Sequence, residues 1–441
     1  MDAVKYASAY GTWILNNNAK AKNVTVVIGR DARISGHMVS SIVSGTLIGL
    51  GIHVIDLELS TTPTVEMAVT ELKAQGGIIL TASHNPKQWN ALKLLNEKGE
   101  FISEQVGQEI LKLAQSADFN YAEVNKLGSY TTNKDFLDVH IQKILALPYV
   151  DIKAIEKADF AIVVDAINSS GGIAVPALLE KLGVKKVSVI NGEPTGDFAH
   201  NPEPLPEHLM ELSKAVLKQK AQLGISVDPD VDRLAFVCED GEMFGEEYTL
   251  VAVADCVLKE HKKGNTVSNL SSTRALRDVT EAQGGKYSAS AVGEVNVVNM
   301  MKETKAVIGG EGNGGIILPE LHYGRDALVG IAIFLTHLAK YGKSASMLRK
   351  SYPNYFISKN KIELTPQIDV DKVLAAVKEK YKKQPVNTID GVKIEFDKEW
   401  VHLRKSNTEP IIRIYSESQT SATAENLAKK IISDIKEIIK G

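Results

Sequence analysis

Three aspartates, Asp228, Asp230 and Asp232, alternate in the stretch DPDVDR. In extended backbone alternate side chains project to one side, so the spacing predicts three carboxylates on one face. Such charges repel one another unless a cation offsets them, and oxygen-only ligands suit Mg2+ or Ca2+. A solvated acidic loop would have the same composition. The flanking runs GISV and LAFV favour the cation, because they make the stretch a strand-to-strand turn with little freedom to relax.

Two rival patterns can be checked by position. A calcium-binding helix-loop-helix would place Asp228, Asp230, Asp232 and Glu239 correctly, but its sixth place is Arg233 where the sharp turn needs glycine, and no helix follows. Phosphatases that work through an Asp-x-Asp pair would use Asp228 as a nucleophile, yet they usually carry Thr or Val where this chain has Asp232.

A second chemical stretch is GGIILTASHNPKQWNALK. Gly77 to Leu80 is an apolar run of strand length, followed at once by Thr81, Ser83, His84 and Asn85. Pro86, which has no amide to donate, is expected to stop the strand. Ser83 then lies on a turn at the carboxyl end of a strand, where open α/β sheets bind ligands. An ordinary Ser/Asn turn would read the same way.

Two further loops carry binding chemistry. RKSNTEPIIR puts Arg404, Lys405, Ser406, Asn407 and Thr408 in one turn, with Arg413 returning from the next strand. Guanidinium forks with hydroxyl and amide donors are what a phosphate dianion needs, although a surface basic turn has the same composition. GGEGNGG, Gly309 to Gly315, follows an apolar strand and lets backbone approach a ligand, with Glu311 supplying a carboxylate; a flexible hairpin would look alike.

Positioning these loops requires a repeating scaffold. Helical spacing of Val4, Ala7, Tyr10 and Ile14 opens the chain, and VTVVIGRDARISG then reads as a strand over Val24 to Ile28, a turn, and a helix from about His37. GIHVIDL and the Gly77 strand continue the rhythm, and a helix near Glu104 to Gln115 closes the unit. A second cycle includes a strand at Phe160 to Asp165, a helix at Leu209 to Lys220, and the strand pair around the aspartates. A third runs to a helix around Leu328 to Lys340. After Tyr352 alternating strands and a C-terminal helix, Ala422 to Lys440, suggest an α+β unit. The expected divisions are 1–133, 134–243, 244–352 and 353–441.

Composition excludes several classes. A chain of 441 residues with 44% hydrophobic and 24% charged residues is typical of multi-domain globular protein. Net charge is -3 with no long basic block, which gives no electrostatic reason to expect nucleic acid or an anionic membrane as partner. The two cysteines, Cys238 and Cys256, are too few for a disulfide framework and fit a reducing cytosol. No apolar segment is long enough to span a bilayer, and no signal-peptide order opens the chain. A cytoplasmic enzyme acting on a small molecule is the expectation.

TASHNP, DPDVDR, GEGNGG and RKSNTEP, in this order and one per unit, closely resemble the α-D-phosphohexomutase superfamily of phosphoglucomutases, phosphomannomutases and phosphoglucosamine mutases. The resemblance covers nearly the whole chain. It implies a heart-shaped architecture of three similar α/β domains plus a C-terminal α+β domain around a central cleft. It also implies that Ser83 carries phosphate, and that Asp228, Asp230 and Asp232 hold one Mg2+ together with a phosphoserine oxygen. Glu311 would contact sugar hydroxyls, with Asn313 beside it. Arg404, Ser406, Asn407, Thr408 and Arg413 would hold the phosphate that is not transferred. His84, Asn85, Lys93 and Arg233 match positions next to the reacting groups, with Lys93 a proton-transfer candidate. Ser271 to Arg274 and Val292 to Asn296 would form cleft loops. The implied reaction moves phosphate between the 6- and 1-positions of a hexose, with glucosamine favoured, through a hexose 1,6-bisphosphate. Bifunctional mannose and glucose activity is the alternative, and a non-catalytic sugar-phosphate sensor or a serine-phosphate hydrolase are further ones. A monomer or homodimer is expected.

Two departures stand out. Many members have a histidine in the glycine loop where this chain has Gly315, and Asn313 replaces a serine. Members also usually begin with a strand and a Gly-Ile-Arg-Gly motif that contributes an arginine, whereas this sequence opens in the following helix. Either the start of the sequence is trimmed, or the first domain lacks an edge strand and a phosphate contact.

Overall fold

A computed structural model of the chain describes residues 2–364, 368–405 and 411–440. Four sheets follow one another along the chain. In the first, Thr25–Arg30 is flanked by the parallel strands His53–Leu59 and Gly76–Leu80, with Tyr130–Thr132 parallel at one edge and Leu92–Leu95 antiparallel at the other. The second sets Ala161–Asp165 between the parallel strands Lys186–Ile190 and Leu223–Val227, with Leu234–Cys238 antiparallel at the edge. The third repeats this with Thr266–Asn269 between Tyr287–Ser290 and Ile308–Glu311, and Gly315–Ile317 antiparallel. The fourth is wholly antiparallel, in the order Phe356–Glu363, Ile411–Ser418, Trp400–Lys405, Val392–Glu395, Val386–Asn387.

The repetition explains where the chemistry lies. In each of the first three sheets a parallel strand runs out at its carboxyl end and returns as an antiparallel edge strand. The three connections are the serine turn (81–91), the aspartate turn (228–233) and the glycine loop (312–314). Every such loop therefore occupies the same topological position, at the strand ends where α/β sheets place ligands.

The parallel strands Gly76–Leu80 and Leu223–Val227 are buried along their whole length, as parallel sheets covered by helices require, and the antiparallel edge strand Leu234–Cys238 is buried as well. The second and third units share one apolar core running from Ile141 to Tyr352. At its centre Phe334 stacks on Phe236 with ring centroids 3.8 Å apart, and Phe244 meets Phe334 edge-on at 5.0 Å. A shared core of this kind fixes the aspartate turn and the glycine loop relative to each other. The fourth unit has a separate core beneath the C-terminal helix Ser421–Lys440.

Three expectations need correction. The helix Thr62–Glu71, between the second and third strands, was not anticipated; Thr61 caps it by accepting from the Thr64 amide, and Pro63 fits its first turn. Val4 is 42% exposed and is not part of the apolar stripe formed by Ala7, Tyr10 and Ile14. The aspartates do not lie on extended backbone. They occupy a turn closed by the Val231 amide donating to the Asp228 carbonyl at 3.1 Å, with Val231 itself left-handed at φ 62°.

Candidate active site

Turn chemistry, not strand alternation, gathers the carboxylates. Asp228 Oδ1 accepts from the backbone amides of Asp232 and Arg233 at 3.1 and 3.0 Å, folding the turn around its own first residue. One oxygen of each of Asp228, Asp230 and Asp232 then lies within 4.8 Å of the others, and all three side chains are fully buried. Asp230 Oδ1 and Asp232 Oδ1 have no hydrogen-bond partner among the described residues. Buried carboxylate oxygens without donors are costly, and oxygen-only ligation fits a hard divalent cation such as Mg2+. Burial and the two neighbouring carboxylates push Asp228 well above the usual carboxylate range, whereas Arg325 and Lys93 outweigh burial at Asp232 and hold it well below.

The serine turn meets this cluster directly. Ser83 Oγ donates to Asp228 Oδ2 at 2.8 Å, and His84 Nδ1 lies 3.4 Å from the same hydroxyl. Ser83 has φ 48°, a strained conformation for a residue with a side chain, and the surroundings enforce it. Its amide donates to Thr81 Oγ1 at 2.8 Å, and Thr81 Oγ1 donates to Asp31 Oδ2 at 2.7 Å. Arg33, buried beneath the turn, donates to the carbonyls of Ser83, Asn85, Pro86 and Trp89 and to Asp31 Oδ2. The strand already ends at Leu80, so the guanidinium shapes the turn and Pro86 acts through its carbonyl. Burial, reinforced by Arg233, lowers His84 to about 4, which leaves the imidazole uncharged at neutral pH.

Cations close the other side of the cluster. Lys93 Nζ donates to Asp230 Oδ2 at 2.7 Å and Asp232 Oδ2 at 3.2 Å, and these carboxylates overcome burial to hold it protonated beyond its ordinary range. Arg325 donates to Asp232 Oδ2 at 2.7 Å, Glu294 Oε2 at 2.8 Å and Glu311 Oε2 at 3.1 Å, linking the aspartate turn to the glycine loop. Glu311 also accepts from Asn269 Nδ2 at 2.9 Å and the Gly293 amide at 3.1 Å. A Cβ on Gly315 would run into the Arg325 side chain, so this position is glycine because the arginine crosses it.

A polar cavity of about 270 Å³ opens beside these groups. Its lining includes His84, Arg233, Glu311, Asn313, Arg404 and Arg413 from the expected set. Arg404 and Arg413 face each other across neighbouring antiparallel strands, and Arg404 is also paired with Asp390 at 2.8 Å. Arg233 reaches Glu203 at 3.2 Å. Ser406, Asn407 and Thr408 lie outside the described residues. Asn85 spends its side-chain amide on the Ala82 carbonyl at 2.9 Å, and Asn313 Oδ1 accepts from the Gly315 amide at 3.1 Å.

Sequence reasoning missed Arg33, Thr62, Glu203, Glu247, Arg325 and Lys359, and it placed Glu294 only as part of the cleft loop Val292 to Asn296. Thr62 donates to Asp230 Oδ2 and ties the first unit to the aspartate turn. Arg325 had a signal, as the one arginine shortly after the glycine loop; Arg33 had another, in the charged turn after the first strand.

Comparison with known families decides the relationship. Models of phosphoglucomutase/phosphomannomutase α/β/α domains I, II and III match residues 2–121, 138–241 and 245–355, and the C-terminal domain model matches 362–433. The chain belongs to the phosphoglucomutase/phosphomannomutase family. It is thereby an α-D-phosphohexomutase, an intramolecular phosphotransferase of the isomerase class. This phosphohexomutase is 36% identical over 442 residues to a phosphoglucomutase/phosphomannomutase of Thermococcus kodakarensis, covering 100% of this chain and 95% of the relative. It is 32% identical to a phosphoglucosamine/phosphogalactosamine mutase of Sulfurisphaera tokodaii, covering 99% and 95%. Among solved structures, a family protein of Burkholderia thailandensis shares the fold with TM-score 0.85 at 24% identity, covering 100% of this chain and 94% of that one. The four-domain architecture of the superfamily is thus the architecture here. No helix among the described residues is long and apolar enough to cross a membrane.

Proposed function

We propose that this chain interconverts the 6- and 1-phosphates of a hexose, with glucosamine phosphate the leading substrate, through a phosphoserine at Ser83 and a hexose 1,6-bisphosphate intermediate. The observation that carries the reading is the Ser83 hydroxyl directed onto Asp228 at 2.8 Å, next to a cavity lined by Arg404 and Arg413. Serine without an activating triad is a weak nucleophile, but a phosphoserine donates without activation.

In the proposed half-reaction the P–O bond to Ser83 breaks as a P–O bond to a sugar hydroxyl forms. The sugar hydroxyl loses its proton as the departing Ser83 oxygen takes one up, and we assign the relay between these two oxygens to His84, which is uncharged at neutral pH and adjacent to Ser83 Oγ. Lys93 is held protonated by Asp230 and Asp232 in the metal-free cluster, where it acts as a fixed charge beside the reacting groups; with Mg2+ on those carboxylates it is the second proton-transfer candidate. Reorientation of the bisphosphate then returns the other phosphate to Ser83, and the proton of the Ser83 hydroxyl passes back to the sugar oxygen from which that phosphate departs. Arg404, Arg413 and the residues Ser406, Asn407 and Thr408 would hold the idle phosphate in both halves, while Glu311, Arg233, Asn85 and Asn313 would address the sugar and its phosphate. Asp228, Asp230 and Asp232 would hold Mg2+ with a phosphoserine oxygen, and the bound ion supplies charge neutralisation for the moving phosphoryl group.

Glutamates 203, 247 and 311 line the cavity, Glu247 pushed up to about 8 by burial, and the carboxylates of Glu203 and Glu311 suit the donors of an amino sugar. The name of the Sulfurisphaera tokodaii relative supports the same substrate. Mannose and glucose phosphates form the second reading, favoured by the name of the Thermococcus kodakarensis relative. A panel of glucosamine, N-acetylglucosamine, mannose and glucose 1-phosphates, assayed with Mg2+ and a trace of bisphosphate, separates the two. Intact mass tests the mechanism: full activity with no phosphate on Ser83 under any condition would sink it. Ser83→Ala is expected to bind sugar phosphate without turnover, as an enzyme and not a sensor would.

A further inference from the structure

A second buried cluster lies one residue along from Arg325. His140 Nε2 approaches Asp326 Oδ2 at 2.9 Å, and His322 Nε2 approaches the same oxygen at 3.3 Å. One ligand atom from each of the three lies within 4.8 Å of the others. The outer nitrogens of both rings are directed as well. His140 Nδ1 is 2.9 Å from Thr64 Oγ1, which in turn meets Thr61 Oγ1 at 2.6 Å. His322 Nδ1 is 3.3 Å from Glu66 Oε2. Glu66 is 1% exposed, and neither of its carboxylate oxygens has a hydrogen-bond partner among the described residues.

We propose that His140, His322 and Asp326 form a second cation site, distinct from the aspartate turn and suited to a borderline divalent transition metal of the Zn2+ type. Two imidazoles and one carboxylate are a donor set for such ions, whereas the oxygen-only aspartate turn suits Mg2+. Tetrahedral ligation at about 2.0–2.1 Å places neighbouring ligand atoms about 3.3 Å apart, close to the spacings found here. Metal-bound histidines almost always donate their other ring nitrogen to an acceptor that fixes their orientation. Thr64 Oγ1 lies in that position for His140, and the Glu66 carboxyl lies 3.3 Å from His322 Nδ1, within ion-pair reach, so each ring has an oxygen partner on the side away from Asp326. His322 keeps 11% of its side chain exposed, which leaves a way in for the ion. The site would join helix Thr62–Glu71, helix Phe136–Leu145 and the segment that carries Arg325, so its occupant would brace the arginine that spans Asp232 and Glu311.

The test uses the full chain, stripped with a chelator and titrated with Co2+ in a large excess of Mg2+. The expected result is one Co2+ per chain with a visible d–d band, displaced by one equivalent of Zn2+, and a higher thermal midpoint with Zn2+. The band is expected to persist in Asp228→Asn and to vanish in His140→Gln and His322→Gln. Glu66→Gln is expected to weaken Co2+ binding by about ten- to a hundredfold, as loss of an outer-shell partner does. A folded wild-type protein with no band beyond that of the aqueous ion, no Zn2+ retained through gel filtration and an unchanged midpoint would overturn the proposal. The cluster would then be held by a proton on His322, shared between Asp326 and Glu66. A band lost in Asp228→Asn but kept in both histidine variants would equally overturn it, by assigning the ion to the aspartate turn.

Discussion

Arg33 holds the Ser83 carbonyl from below, with its guanidinium buried and every arm engaged by backbone or by Asp31. Four carbonyls of the serine turn converge on this side chain, so it fixes the turn in the strained conformation that aims Ser83 Oγ at Asp228. Arg33→Lys keeps the charge beside Asp31 but replaces a planar fork with a single ammonium. Turnover is expected to fall about a hundredfold, the usual cost of a misplaced reacting group, with little loss of secondary structure. Steady-state kinetics and circular dichroism on the same preparation check this; unchanged kcat would show that Ser83 is positioned by other means.

The metal-free aspartate turn sets a pH trend. Asp228 is raised well above its ordinary value of 3.8 by burial and its two neighbours, so the folded chain binds that proton more tightly than the unfolded chain does. The associated stability is complete below the unfolded value and is lost as pH rises through the folded one. Without divalent cations, therefore, the thermal midpoint is expected to fall as pH rises over this range more steeply than in Asp228→Asn. Mg2+ competes with the proton and is expected to flatten the trend, and its affinity is expected to rise with pH. Melting curves with and without Mg2+ across pH decide this; identical slopes in wild type and variant would refute it.

Lys93 competes with the cation. Its ammonium neutralises Asp230 and Asp232 at 2.7 and 3.2 Å, so Lys93→Gln leaves the cluster one positive charge poorer. At these separations a unit charge is worth several kcal/mol even with strong screening, and Mg2+ affinity is expected to rise about tenfold or more. Turnover is expected to fall, because the fixed charge next to the transferring phosphate is gone. Calorimetric Mg2+ titration checks the first half; weaker binding would mean that Lys93 holds the carboxylates in place.

Much of this site was legible in the sequence because its parts are local. Ser83 and the three aspartates sit in short turns whose residue types announce their chemistry, and Glu311, Arg404 and Arg413 sit on the strands that flank the other two expected loops, not in the loops themselves. The missed residues act across the fold. Thr62 carries no signal of its own until the first unit docks on Asp230, and Glu294, although in the expected cleft loop Val292 to Asn296, has no visible role until Arg325 reaches it. The aspartates themselves were grouped correctly for the wrong geometric reason. Strand alternation would have spread them along an edge, whereas the turn capped by Asp228 folds them inward. Lys93 was visible, but its role depends on which carboxylates face it, and no spacing rule supplies that.

His84 gives an acid limb with a definite sign. Its folded value is lowered to about 4 from 6.5, so the folded state resists the proton that the unfolded state accepts. Its contribution is fully present above 6.5 and is lost as pH falls towards about 4. His402 is lowered to about 4 in the same direction, chiefly by burial, so the wild-type slope alone is ambiguous. Replacement by His84→Gln is expected to make unfolding less pH-dependent between those values, by roughly the titration of one group. Urea melts at several pH values check it. A bell-shaped activity profile whose acid limb disappears in the same variant would tie the imidazole to proton transfer.

Gly315 answers the question raised by its departure from the family pattern. A side chain there would strike Arg325, whose guanidinium joins Asp232, Glu294 and Glu311. The space that a histidine would need is therefore filled from the other side by an arginine, and the two solutions exclude each other. Gly315→His is expected to displace the guanidinium, leaving Glu294 without its partner in a buried setting and Asp232 with Lys93 alone. Such an unpaired charge costs about 3–5 kcal/mol, so both stability and turnover are expected to drop sharply. Adding Arg325→Ala to Gly315→His relieves the collision, and recovery of stability in the double variant relative to Gly315→His is the expected sign of coupling. Additive losses in a thermodynamic cycle of the four proteins would show that glycine is required at position 315 for its backbone alone.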